Sequence, residues 1–343
     1  MVRINLYSDT QTQPTIGMRQ AMSRAEVGDE QQFLDPSVNQ LCDEVSKLLR
    51  KDSALFLPSG TMCNQIALAV HCVAGDEIIA DQTSHVINNE AAGAAAICGA
   101  AIRPIQGKRG IFSADDVERS LRAGRALEPR SRLVVVEQSS NAGGGSIWPI
   151  KTLEEISVVA RTHDLAMHMD GARLLNATVS SGIDAYRYAN TVDSVWLDLS
   201  KGLGCPIGAV LAGSDNFIRK AWRWKHRLGG AMRQAGVIAA AGLYSLEHHV
   251  ARLAEDHSNA KLFAQLVSSI EGVTVLNPEV ETNLVFFDVS QTKYTSADLS
   301  TELRNHGVWI GAPTSTSMRA VTHLDISQSD IEEAADLIRQ LIS

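Results

Sequence analysis

Apolar and polar positions follow two rhythms along the first 250 residues. From 37 to 50, SVNQLCDEVSKLLR places apolar residues at helical spacing. The next stretch, DSALFLPSGTMCNQIALAVHCV, reads as a short apolar strand, a turn at Pro58-Ser59-Gly60-Thr61, and a second helix. Then come DEIIADQTSH, SRLVVVEQSS, LAMHMDGARLL and SVWLDLSKGLG, each a short apolar run that ends in polar or Gly-rich residues. Helical patterns such as TLEEISVVARTHD lie between some of them. Apolar strands alternating with helices predict a parallel α/β sheet. Such sheets bind ligands at the carboxyl ends of their strands. The polar residues at those ends therefore form one candidate set: Ser59 to Thr61, His85, Glu137, Asp170 and Lys201.

The texture changes near residue 250. HVARLAEDHSNAKLFAQLVSSI reads as a long helix, TNLVFFDVS, VWIGAPTSTS and MRAVTHLDIS as short strands, and DIEEAADLIRQLI as a closing helix. The expectation is a large α/β domain over 16–249 and a smaller α+β domain over 250–343, with residues 1–15 returning to lie near the latter.

Composition narrows the function. The chain has 343 residues, enough for two domains at roughly 150 residues each. Its net charge of -8 and the lack of any Lys/Arg run argue against nucleic acid. The five cysteines form no CxxC pair and no zinc-type spacing, so no metal site is expected, and a reduced, cytoplasmic compartment is. MVRINLYSDT lacks the apolar core of a signal peptide, and the longest apolar runs fall short of the ~20 residues of a membrane span.

The chemistry starts from VWLDLSKGLGCP, where a buried-looking strand runs into Lys201 and a Gly-rich turn. A lysine amine can attack a carbonyl and form a Schiff base; a surface lysine at a strand end is the plainer reading. Asp170, in HMDGARL, offers the carboxylate that a pyridinium nitrogen needs. The N–H groups of Gly60 and Thr61 at a helix start suit a phosphate, or simply an N-cap turn. His85, in QTSHVINNE, can lie flat on a cofactor ring or serve structurally. Together the four features describe a pyridoxal-phosphate site.

The sequence resembles the L-threonine aldolase family of fold-type-I pyridoxal-phosphate enzymes, also called the beta-eliminating lyase/threonine aldolase family. The likeness is carried by SDTQTQPTIGMRQAM, DPSVNQL, LFLPSGTMCNQIAL, HMDGARLLNA, DLSKGLGCPIGAVLAGS, RLGGAMRQAGVIAAAGLY and MRAVTHLD. It implies the fold: a large domain with a mostly parallel seven-stranded sheet and a smaller C-terminal α+β domain. It also implies roles. Lys201 tethers pyridoxal 5'-phosphate as a Schiff base, Asp170 pairs with the ring nitrogen, and His85 stacks on the ring near the substrate β-hydroxyl, as candidate base. Gly60 and Thr61 bind the phosphate, with Arg233 as its cationic partner from its own or a neighbouring subunit. Ser8, Arg173 and Arg319 hold the substrate carboxylate, a task that suits a planar guanidinium. Read without the family, Arg173 fits an ion pair near Asp170 and Arg319 a solvated strand arginine. Glu137 and Asn141 support the site.

The implied reaction splits a β-hydroxy-α-amino acid into glycine and an aldehyde. β-Elimination or a racemase-like reaction on a β-substituted amino acid, and a non-catalytic assembly subunit, are the alternatives. The implied assembly is a homodimer or homotetramer with active sites between subunits. The chain departs from the family in places expected near the substrate: Leu127 where many members have a second histidine, Phe33 and Leu34 in GDEQQFLDP, Tyr7 and Gln13 for arginines, and EQSSN for ENTHN. An altered preference for the β-substituent is the expectation that follows.

Overall fold

The apolar runs fold as strands because helices cover them on both faces, so they need no polar alternation. The computed structural model describes residues 2–277 and 279–343. Its strands are β1 (Ile4–Asn5), β2 (Ser53–Leu57), β3 (Asp76–Asp81), β4 (Ala101–Ile105), β5 (Arg130–Glu137), β6 (Ala166–Asp170), β7 (Ser194–Asp198), β8 (Ala209–Gly213), β9 (Thr274–Val275), β10 (Leu284–Asp288), β11 (Val308–Trp309) and β12 (Ser317–Val321).

Seven of them make one sheet in the order β2-β8-β7-β6-β5-β3-β4. Only β8 runs against its neighbours, so the sheet is mostly parallel, as the resemblance implies. Every residue of β3, β7 and β8 is buried. Two strands of this sheet escape the sequence reading. In β4, AIRPI mixes exposed and half-buried positions and carries a proline, which only an edge strand tolerates. In β8, AVLAG is hidden inside a longer Gly-rich string.

The parallel register brings the carboxyl ends of β5 and β6 level, with Glu137 beside Asp170. Asp198 closes β7, and Lys201 follows on a turn where the Gly204 N–H donates to the Lys201 carbonyl at 2.8 Å. Gly204 has φ +74°, a conformation that favours glycine. Across the sheet, Ser59 caps the helix Gly60–His71 by accepting the Met62 N–H.

A second core gathers Ile4, Leu6, Phe263, Phe287, Val308, Met318 and Ile338. There β10 pairs with β9 and β12, and β1 pairs with β11, which brings the N-terminal segment onto the C-terminal third of the chain. A helix over Ser296–Asn305, with little apolar patterning, was not expected from the sequence.

The large core also holds a buried ion pair beside β2. Lys225 is fully buried, pairs with Glu30, and donates to the Phe56 carbonyl at 2.7 Å. Glu30 also accepts the Met232 N–H at 2.8 Å. Replacing Lys225 by Met strands a buried carboxylate, so K225M should lose about 3–5 kcal/mol in chemical denaturation. The K225M/E30L double variant should recover most of that loss, because no unpaired charge remains.

Candidate active site

One cavity of about 390 Å³ lies beyond the carboxyl ends of β5, β6 and β7. Ser8, Gly60, Thr61, His85, Asp170, Arg173, Lys201 and Arg319 all line it, as do Glu137 and Asn141. The structure thus brings together every site residue expected from the sequence except Arg233.

Lys201 projects its amine to Asp198 Oδ2 at 2.6 Å. The indole of Trp196 lies nearby, with the amine 5.5 Å from the ring centre. Asp170 is 2% exposed and accepts from the Ala172 N–H at 3.0 Å and from Asn64 Nδ2 at 2.8 Å. Among the described residues, no cation forms an ion pair with Asp170. Burial pushes its carboxyl above the usual range, only partly offset by the charges of His85 and Lys201 and the Asn64 hydrogen bond.

His85 starts a one-turn helix whose position is set by Glu137: the His85 N–H donates to Glu137 Oε2 at 2.8 Å. Its ring Nδ1 faces Glu90 Oε1 at 2.8 Å. Burial works to lower the imidazole pKa, but the Glu90 hydrogen bond and the charges of Asp170, Glu90 and Glu137 together raise it above histidine's ordinary value. Burial, then the charge of Asp170, pushes the Glu137 carboxyl up to about 7, against the N–H groups of Asn141 and His85.

At the helix Gly60–His71, no group among the described residues accepts from the N–H of Gly60 or Thr61. Those first-turn donors face the cavity and suit an anion. A Cβ at Gly60 would come within 2.2 Å of the Trp196 ring, so only glycine fits there.

Arg173 differs in detail from the expectation. Its Nε and NH2 donate to the two oxygens of Asp9, each at 2.7 Å, inside the protein. Only NH1 is left without a partner among the described residues. Arg319 donates to Asn141 Oδ1 at 3.2 Å and to the Tyr7 carbonyl at 3.1 Å. Burial, then the nearby charge of Arg173, lowers its pKa. Ser8 accepts from the Thr10 N–H at 3.2 Å and caps the short turn Asp9–Gln11.

Arg233 lies outside the cavity of its own chain, largely exposed and paired with Asp29 at 3.0 Å. Most of the family-departing positions are also elsewhere within one chain. Leu127 is 98% exposed, Phe33 packs edge-on against Trp222, and Tyr7 stacks on Trp309. Neither they nor Leu34 and Gln13 line the cavity, whereas the EQSSN segment lies at it, between the lining residues Glu137 and Asn141. Asp9, Asn64, Glu90 and Asp198 were not singled out from the sequence. Asp198 sits three residues before Lys201 and Asn64 four after Gly60, spacings that a search for helical or turn partners of those residues would have reached.

The cavity thus joins a lysine amine, a buried carboxylate, two helix-start N–H groups and a pair of arginines; among the described residues the carboxylate has no ion-paired cation and the two N–H groups have no acceptor. Comparison with known proteins finds the same arrangement of chain. Residues 5–291 match the family model described as beta-eliminating lyase. Low-specificity L-threonine aldolase 1 of Arabidopsis thaliana is 36% identical over 345 residues, covering 99% of this chain and 96% of that one. The low specificity L-threonine aldolase of Escherichia coli K12 is 38% identical over 333 residues, 97% of each chain. Among solved structures, a threonine aldolase of Leishmania major superposes with a TM-score of 0.85 at 19% identity, over 99% of this chain and 100% of that one. With the family model spanning most of the chain and these relatives matching end to end, the protein belongs to the beta-eliminating lyase family, in the company of the low-specificity L-threonine aldolases.

Proposed function

We propose that this carbon–carbon lyase uses pyridoxal 5'-phosphate to cleave L-β-hydroxy-α-amino acids of the threonine type into glycine and an aldehyde. The observation that carries this reading is the convergence of Lys201, Asp170, His85 and the Gly60/Thr61 N–H groups on one cavity beside Arg319. The residues fit the cofactor. A glycine that nothing larger can replace opens the phosphate cradle, and a buried carboxylate without a cation awaits a pyridinium nitrogen. When bound, the cofactor supplies an aldehyde for an amine and an electron-withdrawing ring.

The chain's own residues do the rest. Lys201 supplies the tethering amine and Asp198 holds it in place at 2.6 Å. Asp170 keeps the ring nitrogen protonated. Arg319, the free NH1 of Arg173, and Ser8 receive the substrate carboxylate and so orient the bond to be broken. His85, anchored through Nδ1 to Glu90, has Nε2 left to accept the β-hydroxyl proton. In this reading the large unit over 16–249 carries the cofactor groups, and the smaller unit over 250–343, with 1–15, carries Arg319 and Ser8. A homodimer or homotetramer is the assembly that would let the exposed Arg233 reach a phosphate, and a cytoplasmic setting suits five unpaired thiols. Phe33, Leu34 and Leu127 would then bear on the β-substituent only across a subunit interface.

Purified protein incubated with L-threonine or L-allo-threonine should release glycine and acetaldehyde in equal amounts. A keto acid and ammonia instead would favour β-elimination. Lys201→Ala should abolish both turnover and the visible absorbance band of the bound cofactor. Because the base must be unprotonated, kcat/KM should rise with pH through an apparent pKa above histidine's ordinary value. Glu90→Gln removes the charge that holds the proton on His85 and should move that limb to lower pH. His85→Asn should cost about 10²–10⁴ in kcat.

A further inference from the structure

Asn64 lies inside the helix Gly60–His71 and is fully buried, yet every hydrogen-bonding position of its amide is used. Nδ2 donates to Asp170 Oδ2 at 2.8 Å and to Glu90 Oε1 at 2.7 Å. Oδ1 receives Trp196 Nε1 at 2.7 Å and His168 Nε2 at 3.1 Å. An indole N–H only donates, so the orientation of the amide is fixed by chemistry.

The order of hydrogens then propagates away from the cavity. With its Nε2 hydrogen given to Asn64, His168 accepts at Nδ1 from Ser194 Oγ, 2.8 Å away. Ser194 Oγ in turn accepts from His71 Nε2 at 2.8 Å. Burial lowers the pKa of His168 to about 3 and of His71 to about 4, so both rings are neutral and each has one hydrogen to place. Rotating the Asn64 amide would oppose its NH2 group to an indole N–H and an imidazole N–H.

The two donors thus locked in place serve two carboxylates with different duties. One is Asp170; the other is Glu90, whose same oxygen holds the His85 ring. We propose that Asn64 is a positioning residue that binds the ring-nitrogen acid Asp170 and the ring-facing His85 into one unit, with Trp196, His168, Ser194 and His71 as the chain that holds it, an inference that rests on the cofactor reading above. The amide N–H favours the ionised form of Asp170, which keeps a buried carboxylate available to a pyridinium nitrogen.

Two variants test this in the cofactor-loaded protein. Asn64→Leu removes both donors at similar size. Ser194→Ala breaks the chain two links from the carboxylates, at a residue that does not line the cavity. The readouts are the pH titration of the visible absorbance band without substrate and the concentration of pyridoxal phosphate that half-saturates the protein. One hydrogen bond to a charged group is worth about one pKa unit, or tenfold in affinity. Asn64→Leu should therefore shift the band's apparent pKa upward by about one unit, because the ring nitrogen loses protonation, and weaken cofactor binding about tenfold. Ser194→Ala should move both in the same direction by less. If Asn64→Leu does not fold, the Ser194→Ala titration decides. Folded variants that titrate and bind like the unaltered protein, even with a lowered melting temperature, would overturn the role of Asn64 and leave the cofactor reading intact. Absence of any visible band in the unaltered protein supplied with pyridoxal phosphate would overturn both.

Discussion

The buried ion pair between Asp9 and Arg173 is the constraint on which the architecture of the site turns. Asp9 is fully buried and Arg173 nearly so, and they share two parallel hydrogen bonds of 2.7 Å. Asn283 adds a third donor to Asp9 at 3.1 Å. Burial alone would raise the Asp9 carboxyl, but the charge and hydrogen bonds of Arg173, with Lys201 and Asn283, hold it well below the usual range. Removing either partner would leave an uncompensated charge in the interior, which is strongly destabilising. Through these contacts the N-terminal segment, the loop after β6 and the approach to β10 meet at one point. Ser8 precedes that point in sequence, and Arg319 reaches the carbonyl of Tyr7 beside it.

Around this anchor the site is a balance of charges at the open edge of an apolar sheet. Glu137, Asp170 and Asp198 end three neighbouring strands, and Glu90 adds a fourth carboxylate. Lys201, His85, Arg173 and Arg319 answer them within the cavity. Parallel strands present their ends in register, so carboxylates that would repel one another are kept close by backbone geometry. The two backbone N–H groups that Glu137 accepts and the Asn64 amide on Asp170 are what make the crowding tolerable.

The sequence made the strand ends legible because each apolar run stops at a residue whose chemistry is out of place in a core. Lys201, Asp170 and His85 announce themselves in that way, and their convergence follows from the parallel sheet. What stayed hidden is pairing. Asp9 and Asn64 are ordinary polar residues in their local strings, and only the folded chain brings Asp9 to Arg173 or Asn64 to both carboxylates. Arg173 could be placed at the site but not assigned its partner. Arg233 sits in a telling motif, yet within one chain it meets Asp29 at the surface. Strand β4 stayed hidden for another reason: an edge strand owes its place to neighbours rather than to its own pattern.

The contacts that close one side of the cavity join the two extremes of the chain. Arg319 meets the Tyr7 carbonyl across 312 positions, Asn283 meets Asp9 across 274, and β1 pairs with β11. Closing loops of that size is entropically costly and comes late. During synthesis strands β3 to β7 can pair while the ribosome still holds the remainder, and Gly60 joins them once β8 has emerged to seat β2. Arg319 cannot take its place at the cavity until nearly the last residues have emerged. A nascent or C-terminally clipped chain would therefore present Lys201, Asp170 and Arg173 without Arg319 over them, and the completeness of the polypeptide becomes a condition for a fully built cavity.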